Sequence, residues 1–119
     1  MDMKLFDSEL KVMEILWKEG DLTAGQLAKV LNEQTGWNRN TTYTVIKKLI
    51  EKGAVERYEP NFTGRALISK EQVQRQEATE LIGKLFDGSA EAFLSAFLNG
   101  KELTADEITR LKQIVDNLK

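Results

Sequence analysis

Seven side chains between positions 39 and 48 are of types that can read a polyanion. Asn40, Tyr43, Thr44 and Lys47 recur at i, i+3, i+4 and i+7, which places them on one face of a helix, and Arg39, Thr41 and Lys48 flank them. Asn pairs bidentately with adenine, Thr meets a base edge or a thymine methyl, and Lys reaches guanine or phosphate. No carboxylate enters this stretch before Glu51, so nothing near its start repels phosphate. The free N–H groups and positive dipole end of a helix N-terminus add to that attraction. A solvated surface helix explains each residue singly, because exposed Thr, Asn and Lys are commonplace. Thr41 and Thr42 also have the chemistry for purely local backbone bonds. The whole set, on one face, points to DNA.

The elements that must hold this face can be read from the hydrophobic periods. Thr42, Val45, Ile46 and Leu49 repeat the same spacing on the opposite side of the helix, which is a core stripe. Asn38 is placed to cap this helix and Gly53 to close it. Before it, a first helix with Leu10, Met13 and Trp17 on its stripe is expected to start at a cap on Asp7 or Ser8 and to end at Gly20. A second opens at Thr23, where Thr23 and Gln26 form a capping box and Leu22 and Leu27 a hydrophobic staple. Asn32–Trp37 reads as the connection to the third. Trp17 and Trp37 read as core or capping aromatics. After Gly53 the period changes. Ala54–Tyr58 and Arg65–Ile68 read as two strands around turn material at Pro60–Gly64. Three helices and a hairpin in this order are expected to form a winged helix-turn-helix domain over residues 1–68. A hairpin carrying Arg57 and Arg65 suits a wing lying against the sugar-phosphate backbone beside the polar face of the third helix.

From Ser69 onward the chain reads as three helices. Ser69–Gln72 and Thr104–Glu107 are further capping boxes, and Gly88–Ser89 and Asn99–Gly100 are breaks. Leu81, Leu85, Phe93, Leu94, Phe97, Leu111 and Val115 lie on the apolar stripes. Helices this short bury little against one another, so their faces need a partner. A second copy of the chain is the simplest one, because most soluble oligomers are symmetric homodimers. Residues 69–119 are therefore expected to be a helical dimerisation domain. The fold class is mainly α with a small β-hairpin wing.

Composition narrows the chemistry. The 119 residues carry a net charge of −2 with no Cys and no His. Disulfides, thiolate metal sites and thiol nucleophiles are excluded, and the commonest metal ligand and neutral-pH acid–base group is missing. No enzyme activity, cofactor or metal is expected. Glu77 and Glu80 have a spacing that would suit paired acid/base work only inside a cleft. The acidic average hides a bias: residues 38–65 carry six basic side chains against three acidic ones, whereas 69–119 carry seven against nine. A basic centre with an acidic C-terminal third suits nucleic acid at one end and another partner elsewhere. No apolar run exceeds three residues and the N-terminus lacks a signal-peptide layout, so neither membrane insertion nor export is expected, and the location is cytoplasmic. A winged helix that docks on protein instead of DNA is the rival reading. Salt dependence separates the two, since phosphate binding weakens steeply with salt.

The segments S-E-L-K-V-M-E-I-L-W, G-D-L-T-A-G-Q-L and T-G-W-N-R-N-T-T-Y-T-V-I-K-K-L-I-E-K-G-A-V closely resemble the penicillinase-repressor family, which includes bacterial β-lactamase, methicillin-resistance and copper-transport repressors. G-R-A-L-I-S, F-D-G-S-A-E-A-F and the E-L-T-A-D-E-I helix continue the likeness over nearly the whole chain. The resemblance implies a dimeric repressor that holds a palindromic operator and needs no cofactor. Carried over by position, it implies Asn40, Thr41, Tyr43, Thr44 and Lys47 in the major groove, with Thr23, Arg39, Lys48 and the wing residues Arg57 and Arg65 as candidates for phosphate contacts. For the antibiotic-resistance members it implies release through a sensor-linked protease that cuts an Asn–Phe bond in the dimerisation domain. The matching positions here are Ala96 and Phe97, so the Asn is absent. Copper-responsive members carry Cys-x-Cys motifs, which this chain lacks. Tyr43 stands where Arg is frequent and Arg39 where Pro is frequent, so the operator sequence does not carry over from relatives.

Overall fold

The computed structural model describes residues 4–100 and 103–117, and it divides them into two units, one running to Gln76 and the other starting at Glu77. The first holds α1 (Asp7–Glu19), β1 (Leu22–Thr23), α2 (Ala24–Thr35), α3 (Arg39–Lys52), β2 (Val55–Tyr58) and β3 (Thr63–Ala66). α4 (Lys70–Leu85) begins in the first unit and ends in the second, which also holds α5 (Ala90–Asn99) and α6 (Ala105–Asn117). The fold is mainly helical with a small antiparallel sheet, as expected.

Each helix end has a chemical reason. α1 is capped differently from the expectation. Its N-cap is Phe6, which has no accepting side chain, and the Glu9 carboxylate accepts the Phe6 N–H at 2.8 Å instead. Asp7 and Ser8 therefore fall inside or at the start of the helix. α2 opens on the expected box: Thr23 Oγ1 accepts from the Gln26 N–H at 3.1 Å, and the Gln26 side chain accepts the Thr23 N–H at 2.8 Å. It runs on to Thr35, so Asn32, Glu33 and Gln34 are its solvated face and not a connecting loop. Gly36 then takes φ 79°, the left-handed conformation that ends a helix at little cost only for glycine. Gly53 repeats this at the end of α3 with φ 82°.

The core of the first unit packs α1, α2 and α3 around Val12, Met13, Leu16, Leu27, Leu31 and Leu49, with Ile46 beside them. Thr42, Val45, Ile46 and Leu49 are all buried, which confirms the stripe expected on α3. Val73 joins this core, Trp17 Nε1 donates to the Ile68 carbonyl at 2.9 Å, and Lys70 pairs with Glu14 at 3.1 Å. These ties hold the first turns of α4 in the first unit and carry it beyond residue 68. Glu9 is buried against Lys52, with Oε1 2.6 Å from Nζ. Two buried oxygens, Glu9 Oε2 and Thr42 Oγ1, have no partner among the described residues.

The sheet has three strands in the order β1-β3-β2, one more than the hairpin expected. The third strand, β1, is only two residues long, and Leu22 pairs with Gly64 and Thr23 with Thr63. The loop is also shorter than expected, because Thr63 and Gly64 belong to β3 and the strand stops at Ala66. The register pairs Glu56 with Arg65 and Arg57 with Gly64, so the two wing arginines sit on opposite faces. Arg57 shares the side of Val55 and Gly64, both buried, whereas Arg65 shares the outer side with Glu56 and Tyr58. On that outer side Asp21 accepts from the Tyr58 hydroxyl at 2.8 Å and from Arg65 Nε at 3.2 Å. The Tyr58 hydrogen bond, followed by Arg65, holds the Asp21 carboxyl below its usual value, and the same bond raises the Tyr58 phenol.

In the second unit, Ser89 caps α5 by accepting from the Ala92 N–H at 3.0 Å, and Thr104 and Glu107 close a box at the start of α6. Phe86 meets Phe93 edge-on at 5.5 Å and Phe93 stacks near Phe97 at 6.1 Å. α5 has no buried residue. Among the described residues no helix is long and apolar enough to cross a membrane.

Two predictions follow from the packing. Thr42→Val removes an unpartnered buried hydroxyl while keeping the shape, and is expected to stabilise the fold by about 1 kcal/mol, read by denaturant unfolding. The Asp21 carboxyl has a lowered pKa when folded, so its bonds stabilise the sheet above pH about 4 and are lost as the pH falls through the lowered value. Asp21→Asn is expected to flatten the acid limb of the stability–pH curve, and an unchanged limb would show that the cluster is idle.

Candidate nucleic-acid interface

α2 and α3 are joined by a three-residue turn, Gly36–Asn38, whose geometry fixes where α3 points. Asn32 Nδ2 donates to the Trp37 carbonyl at 3.0 Å, and Thr35 Oγ1 accepts the Trp37 N–H at 3.2 Å while donating to the Leu31 carbonyl. Asn38 then caps α3 by accepting from the Thr41 N–H at 2.8 Å. Because Thr42, Val45, Ile46 and Leu49 are locked in the core, the opposite side of α3 is turned outward. Asn40, Thr41, Thr44, Lys47 and Lys48 are exposed there, and Tyr43 is half-buried. The Thr44 hydroxyl donates to the Asn40 carbonyl at 2.9 Å, which leaves its oxygen as an acceptor and its methyl outward. The first turn of α3 carries no acidic residue and its last turn carries Lys52.

The wing comes against this face through Phe62, which the sequence reading passed over as turn material. Phe62 takes φ 52° after Asn61 at 63°, left-handed conformations uncommon for residues other than glycine. Its carbonyl accepts the Ala24 N–H at 2.8 Å, which ties the loop to the start of α2. Its ring lies 6.0 Å from the Tyr43 ring, tilted by 54°. The Arg57 guanidinium sits over the other aromatic of this pair, 3.9 Å from the Phe62 centroid. Arg39 donates to the Tyr43 hydroxyl through Nη2 at 3.0 Å and Nε at 3.3 Å. Arg39, Tyr43, Phe62 and Arg57 thus form one ladder of cations and rings between helix and wing.

The basic residues differ in how free they are. Arg57 pairs with Glu59 at 3.0 Å, and Arg65 with Asp21 and with Glu56 at 3.7 Å. The Glu59 carboxyl is held below its ordinary pKa first by the Phe62 N–H and then by Arg57. Both wing arginines therefore have their charge balanced locally, and only Arg57 stands on the side of Tyr43. Lys47 and Lys48 are exposed on α3 itself. Thr23, placed among the phosphate-contact candidates, spends its side chain and N–H on the α2 cap. Asp21 escaped the sequence reading because its partners, Tyr58 and Arg65, are far along the chain, and Glu59 because the group that holds it first is the Phe62 backbone N–H, which no spacing reveals.

Of the apolar residues assigned to association, Leu81, Leu85 and Phe97 are exposed and Phe93, Leu94 and Leu111 are half-buried. The side chain of Val115 lies outside the described residues. Ala96 and Phe97 are the seventh and eighth residues of α5, and both are exposed. Among the described residues no group of three or more acidic side chains is arranged to hold a metal ion.

Comparison with known proteins meets the same elements. The family model described as penicillinase repressor matches residues 5–117. The penicillinase repressor of Bacillus licheniformis is 25% identical over 98% of this chain and 92% of its own length. The methicillin resistance regulatory protein MecI of Mammaliicoccus sciuri is 26% identical over 98% of each chain. Among solved structures, Bacillus licheniformis BlaI in its monomeric form, in complex with the blaP half-operator, matches with a TM-score of 0.53 and 27% identity over 58% of this chain and 87% of its own. With a family model spanning the core, the α3 face and the helices beyond, the chain belongs to the penicillinase repressor family.

Proposed function

We propose that this chain is a DNA-binding transcriptional repressor that reads a palindromic operator as a homodimer, acting in the cytoplasm without a cofactor. The observation that carries the reading is the outward face of α3, where Asn40, Thr41, Thr44, Lys47 and Lys48 are exposed because their opposite neighbours fill the core. It is supported by the relative whose DNA-bound structure is of a half-operator complex. Asn40, Thr41, Tyr43, Thr44 and Lys47 face the major groove, and the N-terminal end of α3 approaches phosphate. Lys48 and Arg57 meet the backbone. Arg57 reaches phosphate only by exchanging Glu59 for it, and Arg65 only by leaving Asp21.

The second unit supplies the second copy. Leu81, Leu85 and Phe97 expose apolar surface that the described residues leave uncovered, and the dimerisation domain over residues 69–119 is the element that would bring two α3 helices to successive half-sites, about 34 Å apart. Each half-site alone contributes part of the binding energy, so affinity depends on association. Cutting or loosening this unit releases DNA without altering α3. A sensor-linked protease is one such trigger. Cleavage at Ala96–Phe97 would require α5 to unwind locally, since both residues are helical.

Titration of the full-length protein against its own upstream DNA and a scrambled duplex, at two salt concentrations, tests the reading. Thr44→Ala is expected to relax base discrimination by about 1–3 kcal/mol, whereas Lys48→Ala weakens every duplex alike and lowers the salt slope by about 1. Equal, salt-insensitive binding to both duplexes would instead indicate a winged helix that serves a protein partner. Leu85→Glu is expected to shift the protein toward monomer in sedimentation and to weaken operator binding, with the first unit still folded. A dimer unchanged by Leu85→Glu would place the association surface elsewhere.

A further inference from the structure

Tyr43 differs from its neighbours on the α3 face in being held from two directions. Arg39 Nη2 and Nε both donate to its hydroxyl oxygen, at 3.0 and 3.3 Å. A guanidinium has donors and no acceptor, so these two contacts occupy the lone pairs of the phenolic oxygen. Its own O–H cannot point at Arg39 and is left to donate outward. The ring has little freedom to escape this arrangement. It is half-buried, Arg39 lies 5.4 Å from its centroid, and Phe62 packs against it at 6.0 Å. Phe62 is itself fixed by its carbonyl on the Ala24 N–H and by Arg57 over its ring. A free tyrosine offers a donor and an acceptor and tolerates any base. Tyr43 offers a donor alone.

Resting on the operator-reading function, we propose that Tyr43 selects a base that presents an acceptor in the major groove and rejects cytosine at its position in each half-site. Adenine N7, guanine N7 or O6 and thymine O4 accept its proton, whereas cytosine presents the N4 amino donor there. Donor against donor leaves both groups unpaired in a desolvated contact. Arg39 is the positioning residue, because it sets which way the phenol points, and Phe62 keeps the ring within its reach.

The test is selection of bound duplexes from a random pool by the full-length protein, followed by sequencing, with thermal melts to show that each variant folds. The wild type is expected to deplete cytosine about 5- to 100-fold at one position per half-site that admits the other bases. Tyr43→Phe, which keeps the ring, should abolish that depletion there and leave other positions as they were. Arg39→Met keeps the phenol but frees its lone pairs, so cytosine should return at the same position while purines and thymine remain. A pool enriched by the wild type in which Arg39→Met leaves cytosine as depleted as before, or in which no position loses its depletion in Tyr43→Phe, overturns this inference alone. A wild-type pool with no enriched sequence overturns the operator reading and this inference with it.

Discussion

Everything useful in the first unit depends on α3 being buried along one side and free along the other. The helical repeat of 3.6 residues sends Thr42, Val45, Ile46 and Leu49 inward and leaves Asn40, Tyr43, Thr44 and Lys47 outward. A rotation of α3 that exposed its polar face further would draw Ile46 and Leu49, both almost wholly buried, toward water. Each such side chain resists with roughly 1.5–3 kcal/mol of burial. The polar face is held in place because the core behind it is packed, and the Gly36–Asn38 turn and the Asn38 cap set where along its axis the helix begins.

The wing completes this surface through side chains that no local pattern would choose. Its strands are four residues long and their outer face is stitched by Asp21, Tyr58, Arg65 and Glu56. That stitching explains how a chain of net charge −2 presents a basic centre without a surplus of loose arginines. The wing cations are held against carboxylates that sit beside them, so the positive field toward a ligand comes first from the lysines of α3. If the wing arginines meet phosphate as proposed, the contact is an exchange of partners, with a smaller free energy than that of a cation taken from water alone.

What was legible in the sequence follows from how strongly each feature is patterned. The two faces of α3 were readable because four inward positions, three of them apolar, and four polar outward positions repeat in step, and the Thr23 and Ser69 boxes were readable because both partners lie three residues apart. β1 was not, since two residues carry no alternation. The end of α2 was misplaced because Asn32–Gln34 are polar for the reason that any solvated helical face is polar. The α1 cap was missed because Glu9 supplies it from within the helix to a Phe that looks unfit for the task. Phe62 was the costliest omission for the site. Between Pro60 and Gly64 it looks like loop filler, and only the folded chain brings it to Tyr43, nineteen positions earlier. The extension of the first unit to Gln76 was not legible because its ties are one buried valine, Val73, and two long-range bonds, Trp17 to the Ile68 carbonyl and Lys70 to Glu14, around a helix whose other residues are largely exposed.

The Phe62 carbonyl on the Ala24 N–H has a consequence for how binding preferences can change in this lineage. α3 cannot be treated as an exchangeable cassette. Tyr43, the reading residue proposed above, borrows its posture from a loop beyond β2, and that loop in turn borrows its anchorage from the first residue of α2. Transplanting α3 into a relative would carry Tyr43 without the surroundings that limit it, and the grafted tyrosine would become permissive. The smallest portable unit is the continuous stretch from Thr23 to Ala66. New operator preferences would therefore arise by paired changes at α3 and the wing tip, and a lone substitution in α3 would tend to blur recognition before redirecting it.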